Sequence, residues 1–290
     1  MIIIAAFARL GLFTPKIVVS GVINMHIAID DTHSSNGPDL SDYVTSRRRT
    51  CVAVLFDDSE VEHIRAQLRA GLAEIRNITQ ARVDEFHFAE IYNKRGAWKG
   101  LQDDLNLKIF SCFAYLYQCY RWPVIIQTVD ERTIKDLKGL QRKLNFEGLN
   151  PYNLGDLSLA LLALRIRARL KNSTEPLTII VDETPLRKPG SPFGKELFRD
   201  WATPINGYYA SSRTEELLQI ADFLAFCINR TTHLSMKTPR TDIDNWFLGL
   251  ATKMRINSNE LIATSTDLSF TVKEFDEWHR QYRRRWGIPD

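Results

Sequence analysis

Apolar and polar positions change period repeatedly along this chain, and each change marks an element. HIAID (26–30) and TCVAVLF (50–56) are short apolar runs that predict strands. From 59 to 77, Val61, Ile64, Leu68, Leu72 and Ile75 recur at helical spacing, with Ser59 placed as an N-cap. VDEFHF (83–88) alternates in the manner of a strand edge. Helical spacing returns over 103–121 through Leu107, Phe110, Phe113, Ala114 and Tyr117. VIIQTV (124–129) and LTIIV (177–181) predict strands, separated by helices over 132–144 and 156–171. A loop rich in Pro and Gly spans 184–194, followed by a short helix, GYYA (207–210) and an apolar helix through LLQIADFLAFCI (217–228). Two further helices are predicted over 241–255 and 272–286.

Strands alternating with helices argue an α/β sheet with helices packed on it. There is no internal repeat, low-complexity tract or clean linker. The expected organisation is one domain over 25–232, a C-terminal helical elaboration over 233–290, and a peripheral extension over 1–24. That extension is apolar, but Arg9, Pro15 and Lys16 interrupt it, and no basic segment precedes it. It reads as neither a signal peptide nor a membrane span, and Met25 is an alternative start of translation.

Composition narrows the class only a little. The chain has 290 residues, 44% hydrophobic and 25% charged, enough for a core that needs no disulfides. Its four cysteines, Cys51, Cys112, Cys119 and Cys227, form no C-x-x-C pair, which argues against structural zinc. A reduced, cytoplasmic setting is the simplest expectation, with no membrane partner. A net charge of +3 permits an anionic partner without requiring one.

Carboxylates carry the candidate chemistry. HIAID, VIIQTVD and LTIIVD end in Asp30, Asp130 and Asp182, and VDEFHF is followed by Ala89 and Glu90. The carboxyl ends of neighbouring parallel strands share one sheet edge, where ligands bind. Asp30 and Asp182 can meet there, with Asp130 and Glu90 as further members. Any one of them can instead be a turn residue or helix cap, Asp130 especially, because a helix follows it. Asp222 has no such alternative. It sits mid-helix in an apolar run, so it must pair with a cation, accept hydrogen bonds or hold a metal. Gln219 and Asn229 lie roughly on its stripe. Crowded carboxylates raise one another's pKa unless something positive sits among them, and hard oxygen-ligated ions such as Mg²⁺ or Mn²⁺ suit them. Two such ions can promote phosphodiester hydrolysis. His26 and His87 read as structural histidines. His33, in the polar loop after Asp30 and Asp31, is either a loop residue or a group that orients a phosphate or water.

Several segments together resemble one family. IDDTHSSNG is similar to the I-D-E-S-G opening of the family known as domain of unknown function 3800, and FHFAEIYN to its E-x-H-A-[SE]-[DE] segment. PYNLGDLSLALLALRIRARL, LTIIVDE and SSRTEELLQIADFLAFCINR resemble its later motifs, in the family order over roughly 25–232. The resemblance implies a ribonuclease H-like mixed sheet flanked by helices and a metal-dependent nuclease or a relative of one. It assigns Asp30, Glu90, Asp182 and Asp222 as catalytic and metal-binding acids, with Asp31, His33, Glu183 and Gln219 in support. Asp31 stands where the family has Glu, and Thr32-His33 where it has Ser-Gly, which leaves the first loop's conformation open.

The expected partner is nucleic acid, DNA or RNA. The competing expectations are a catalytically inactive ribonuclease H-like module that binds nucleic acid or protein, and a different phosphoryl-transfer enzyme or phosphatase. Arg47–Arg49, the R-I-R-A-R of 165–169 and Arg283–Arg285 are either phosphate contacts or solvated surface. Trp246, Trp278 and Trp286 either stack on bases or close a small helical core.

Overall fold

The structure, a computed structural model, describes residues 24–34, 41–45, 47–136, 144, 146–201, 204–261, 267, 269–285, 287 and 288. The N-terminal extension, apart from Asn24, lies outside the described residues, as do Trp286 and most of the second half of the 132–144 helix. The strands are β1 (Met25–His33), β2 (Arg48–Asp57), β3 (Val124–Asp130), β4 (Leu177–Asp182) and β5 (Ile205–Ala210). The helices are α1 (Asp58–Thr79), α2 (Phe88–Asn93), α3 (Leu105–Tyr120), α4 (Glu131–Asp136), α5 (Leu154–Leu170), α6 (Glu216–Met236), α7 (Asp242–Met254) and α8 (Val272–Arg285), with a 3-10 turn at Gly96–Trp98.

The five strands form one mixed sheet in the order β3-β2-β1-β4-β5. β2 is antiparallel to both β1 and β3, while β1, β4 and β5 run parallel. Both faces are covered, so the central strands are apolar at almost every position. Ala28, Val52, Val54, Ile126 and Ile180 face a core shared with α1, α3 and α6. Ile27, Ile29, Ala53, Ile125, Ile179 and Val181 face a second core built on α5. This is the expected α/β class, a mixed sheet flanked by helices.

Two sequence expectations change in detail, and for Asp130 one of two alternatives is met. The N-cap of α1 is Asp57, whose side chain accepts from the Ser59 amide, so the helix starts at Asp58. Asp130 takes the capping role: its Oδ1 accepts from the amide and hydroxyl of Thr133, and its Oδ2 from the Thr45 amide. Residues 83–88 are not a strand. They form an irregular segment leading into α2, and their alternation arises because Phe86 and Phe88 both anchor in the core, against Trp98, Phe113 and Phe223. The amides that a ladder would pair are met by side chains of α6: Phe86 N donates to Gln219 Oε1 and Phe88 N to Asp222 Oδ2.

The two C-terminal helices pack on α6, and α7 also packs on α3. Thr241 and Asp244 form a capping box at the start of α7, and Asp244 also binds Lys237 and Arg230. Phe275 of α8 packs with Met236 and Phe270, and Asp276 accepts from Ser41 Oγ. Trp246 and Trp278 close these helical cores. All four cysteines are free, Cys119 half-buried and the other three buried. Among the described residues no helix is long and apolar enough to cross a membrane.

Candidate functional site

Asp30 and Asp182 lie one residue beyond the last paired rung of β1 and β4, Ile29 with Val181. Successive side chains alternate between faces, so both project to the side of Ala28 and Ile180, the face that α6 covers. Asp222 belongs to α6 and is buried there. Strand ends and helix thus bring three acids from positions 30, 182 and 222 into one electrostatic group.

The strain on that group is electrostatic. Burial first, and then Asp222, Asp182 and Asp31, push the Asp30 carboxyl well above its ordinary range, against a backbone amide from Asp31 that holds it down. Asp182 is raised to about 7, chiefly by burial, then by Asp222, and less by Glu85. Its Oδ1 is buried without a hydrogen-bond partner. A buried acceptor without a partner among like charges is a group that a bound cation would satisfy.

Asp222 is partly engaged. Its Oδ2 accepts from the Phe88 amide at 2.8 Å and lies 3.1 Å from His87 Nδ1. The His87 side chain is 47% exposed, and its hydrogen bond to Asp222 raises its pKa to about 9, against an opposing cost of burial. At neutral pH this ring is a cation at the rim of the acid group. Sequence reasoning read His87 as structural and did not single out Glu85. Glu85 accepts from Ser212 Oγ and lies 3.5 Å from Arg213 Nε. The signal was the E-F-H run itself, whose polar members sit between two buried phenylalanines.

Not every expected residue joins the three. Glu90, on α2, acts on His87 rather than ranking among the charges that weigh most on Asp30 and Asp182. Its carboxylate lies against Gly96, where any Cβ would collide with it. Asp31 alternates to the opposite face of β1 and pairs with Arg49 Nη1 at 2.8 Å. Glu183 lines the same cavity as Asp30, Asp31, Arg49 and Asp182, a space of about 520 Å³ that also reaches Asp156 and Arg187. There Arg187 grips Asp156 at 2.8 and 3.0 Å. His33 is exposed at the end of β1. Gln219 supports the site structurally, joining Phe86 N to the Ser212 carbonyl.

The donor set is all oxygen, which suits a hard divalent ion. As they stand, however, no three His, Cys, Asp or Glu side chains among the described residues make a ready ligand set. The chain is therefore a helix-flanked α/β protein with three interacting carboxylates at one sheet edge. No family model and no curated protein matches it. One solved structure, described as the crystal structure of the ribonuclease H2 from Pyrococcus horikoshii OT3, aligns with 11% sequence identity over 89% of this chain and 99% of that one, at a TM-score of 0.31.

Proposed function

We propose that the chain hydrolyses phosphodiester bonds in nucleic acid with the help of Mg²⁺ or Mn²⁺, and that it is a relative of the domain of unknown function 3800 family. The observation that carries this reading is the trio of buried Asp30 and Asp222 and half-buried Asp182: burial first, and then mutual repulsion, lifts the carboxyls of Asp30 and Asp182, and Asp182 Oδ1 is left without a hydrogen-bond partner. Asp30 and Asp182 would hold the metal, with Asp222 contributing the oxygen that His87 does not use. A bound divalent ion supplies Lewis-acid activation of water and neutralises charge on the leaving oxygen. The chain's own residues do the rest. The strand ends fix Asp30 and Asp182 on one edge, α6 buries Asp222 against them, and Asp222 orients His87 so that its charged ring faces an approaching phosphate.

Asp30→Asn keeps the size of the side chain and removes its charge. It is expected to lower Mg²⁺- or Mn²⁺-dependent cleavage of DNA or RNA by a factor of about 10³ or more, treating the acid as one of a few groups that act together. The circular dichroism spectrum is expected to stay unchanged. Asp222→Asn is a less clean probe, because Asp222 also holds His87 and the start of α2. Wild-type cleavage by Asp30→Asn overturns the proposal. Metal-dependent turnover of small phosphoesters but not of either nucleic acid moves the assignment to a phosphatase on the same site.

A further inference from the structure

Two arginine runs that are far apart in sequence meet at α4. Arg47 Nη1 lies 3.5 Å from Glu131 Oε1 at the start of that helix. Arg283, on α8, grips Asp136 at its end with contacts of 2.7 and 3.2 Å. Between α4, α8 and residues 42–45 lies a groove of about 660 Å³, lined by Thr45, Arg132, Lys135 and Arg283 with the acids Asp42 and Asp136. Asp136 is taken up by Arg283, but Arg132 is held by neutral groups. Its Nη1 donates to the Asp42 carbonyl at 2.7 Å, and its guanidinium lies 4.6 Å from the centre of the Tyr43 ring. Lys135 is exposed, and so are Arg284 and Arg285 in the last turn of α8. By contrast, two arginines of the R-I-R-A-R run are committed to structure, Arg165 on Glu260 and Arg167 on Asp200.

The groove shares an edge with the acid trio. Because β2 is antiparallel to both neighbours, β3 runs the same way as β1, and α4 leaves the sheet where Asp30 does. Asp30 pairs with Val52 and Asp130 with Arg48, so the two ends are two strands apart and four residues apart along β2. With strands roughly 4.8 Å apart and a rise of roughly 3.3 Å per residue, that separates them by about 16 Å.

A polyanion gains nothing from three carboxylates. On the opposite face, Arg49 and Arg187 are already matched to Asp31 and Asp156. Beside the acids themselves His87 is the cation at hand, and the groove adds Arg132 and Lys135 further along the same edge. We propose that the groove between α4 and α8 receives the phosphodiester backbone of a nucleic-acid strand and leads it across the sheet edge to Asp30 and Asp182. The second half of this statement rests on the nuclease reading; the docking itself does not.

The test is binding of a fluorescent oligonucleotide, DNA and RNA in turn, followed by anisotropy as NaCl is raised, with metal chelated so that nothing is cut. The variant combines Arg132→Gln and Lys135→Gln, two cations that line the groove, and Lys135→Glu serves as a second variant with the charge reversed. The combined variant is expected to bind about tenfold or more weakly at low salt. Its slope of log affinity against log salt should be shallower by about two, close to one phosphate contact per cation. Wild-type affinity and slope in the combined variant overturn the docking. So does an absence of oligonucleotide binding by the wild type, or displacement of the oligonucleotide by polyglutamate as readily as by polyphosphate, which marks a site for acidic protein. The catalytic reading fails on a different result, cleavage that survives Asp30→Asn.

Discussion

Asp182 shows how one residue reports on the site. An ordinary aspartate releases its proton near pH 3.8, but burial, and then Asp222, hold Asp182 protonated up to about pH 7. Between those values the folded chain binds a proton that the unfolded chain has lost, so stability from this group declines as pH rises through the window. Asp182→Asn removes the dependence. The variant is expected to melt at a higher temperature than wild type at pH 8, with the difference shrinking at pH 5 and smallest below about pH 4. A melting difference that does not change with pH would mean that Asp182 titrates normally. At this scale the sequence was informative about oddity and silent about partners. A carboxylate inside LLQIADFLAFCI had to be engaged, and it is, but His87 lies 135 residues away in the chain. Only the packed fold sets that ring beside Asp222.

Among the elements, β1, β2, β3 and β4 and the long helices were legible because apolar period and burial coincide. Val61, Ile64, Leu68, Leu72 and Ile75 of α1 all reach the core. The segment 83–88 was misleading for a physical reason. Its period-two pattern comes from two core anchors, Phe86 and Phe88, while the backbone finds its partners in side chains of α6 rather than in a neighbouring strand. Gln219→Ala tests that arrangement. It leaves the Phe86 amide and the Ser212 carbonyl without their partner, at a cost of about 1–3 kcal/mol. The urea midpoint is expected to fall, and amide exchange to speed up over 83–88 more than over β1. Unchanged exchange there would show that the segment is held by its phenylalanines alone.

For the whole molecule, charge is divided along one edge of the sheet: acids at the ends of β1 and β4, cations around α4 beyond β3. The carboxyl edge was foreseeable from the three strand-end aspartates. The meeting of Arg47 with the α8 arginines at α4 was not, because the placement of a C-terminal helix depends on contacts such as Ser41 with Asp276 and Tyr43 with His279. The most direct measurement is thermal unfolding during titration with Mn²⁺. A ligand of the folded state at a hundredfold excess over its Kd contributes about 2.7 kcal/mol. Wild type is expected to show a saturable rise in melting temperature that vanishes when Asp30→Asn and Asp182→Asn are combined. An equal rise in the double variant, or none in wild type, would contradict a cation site at this edge.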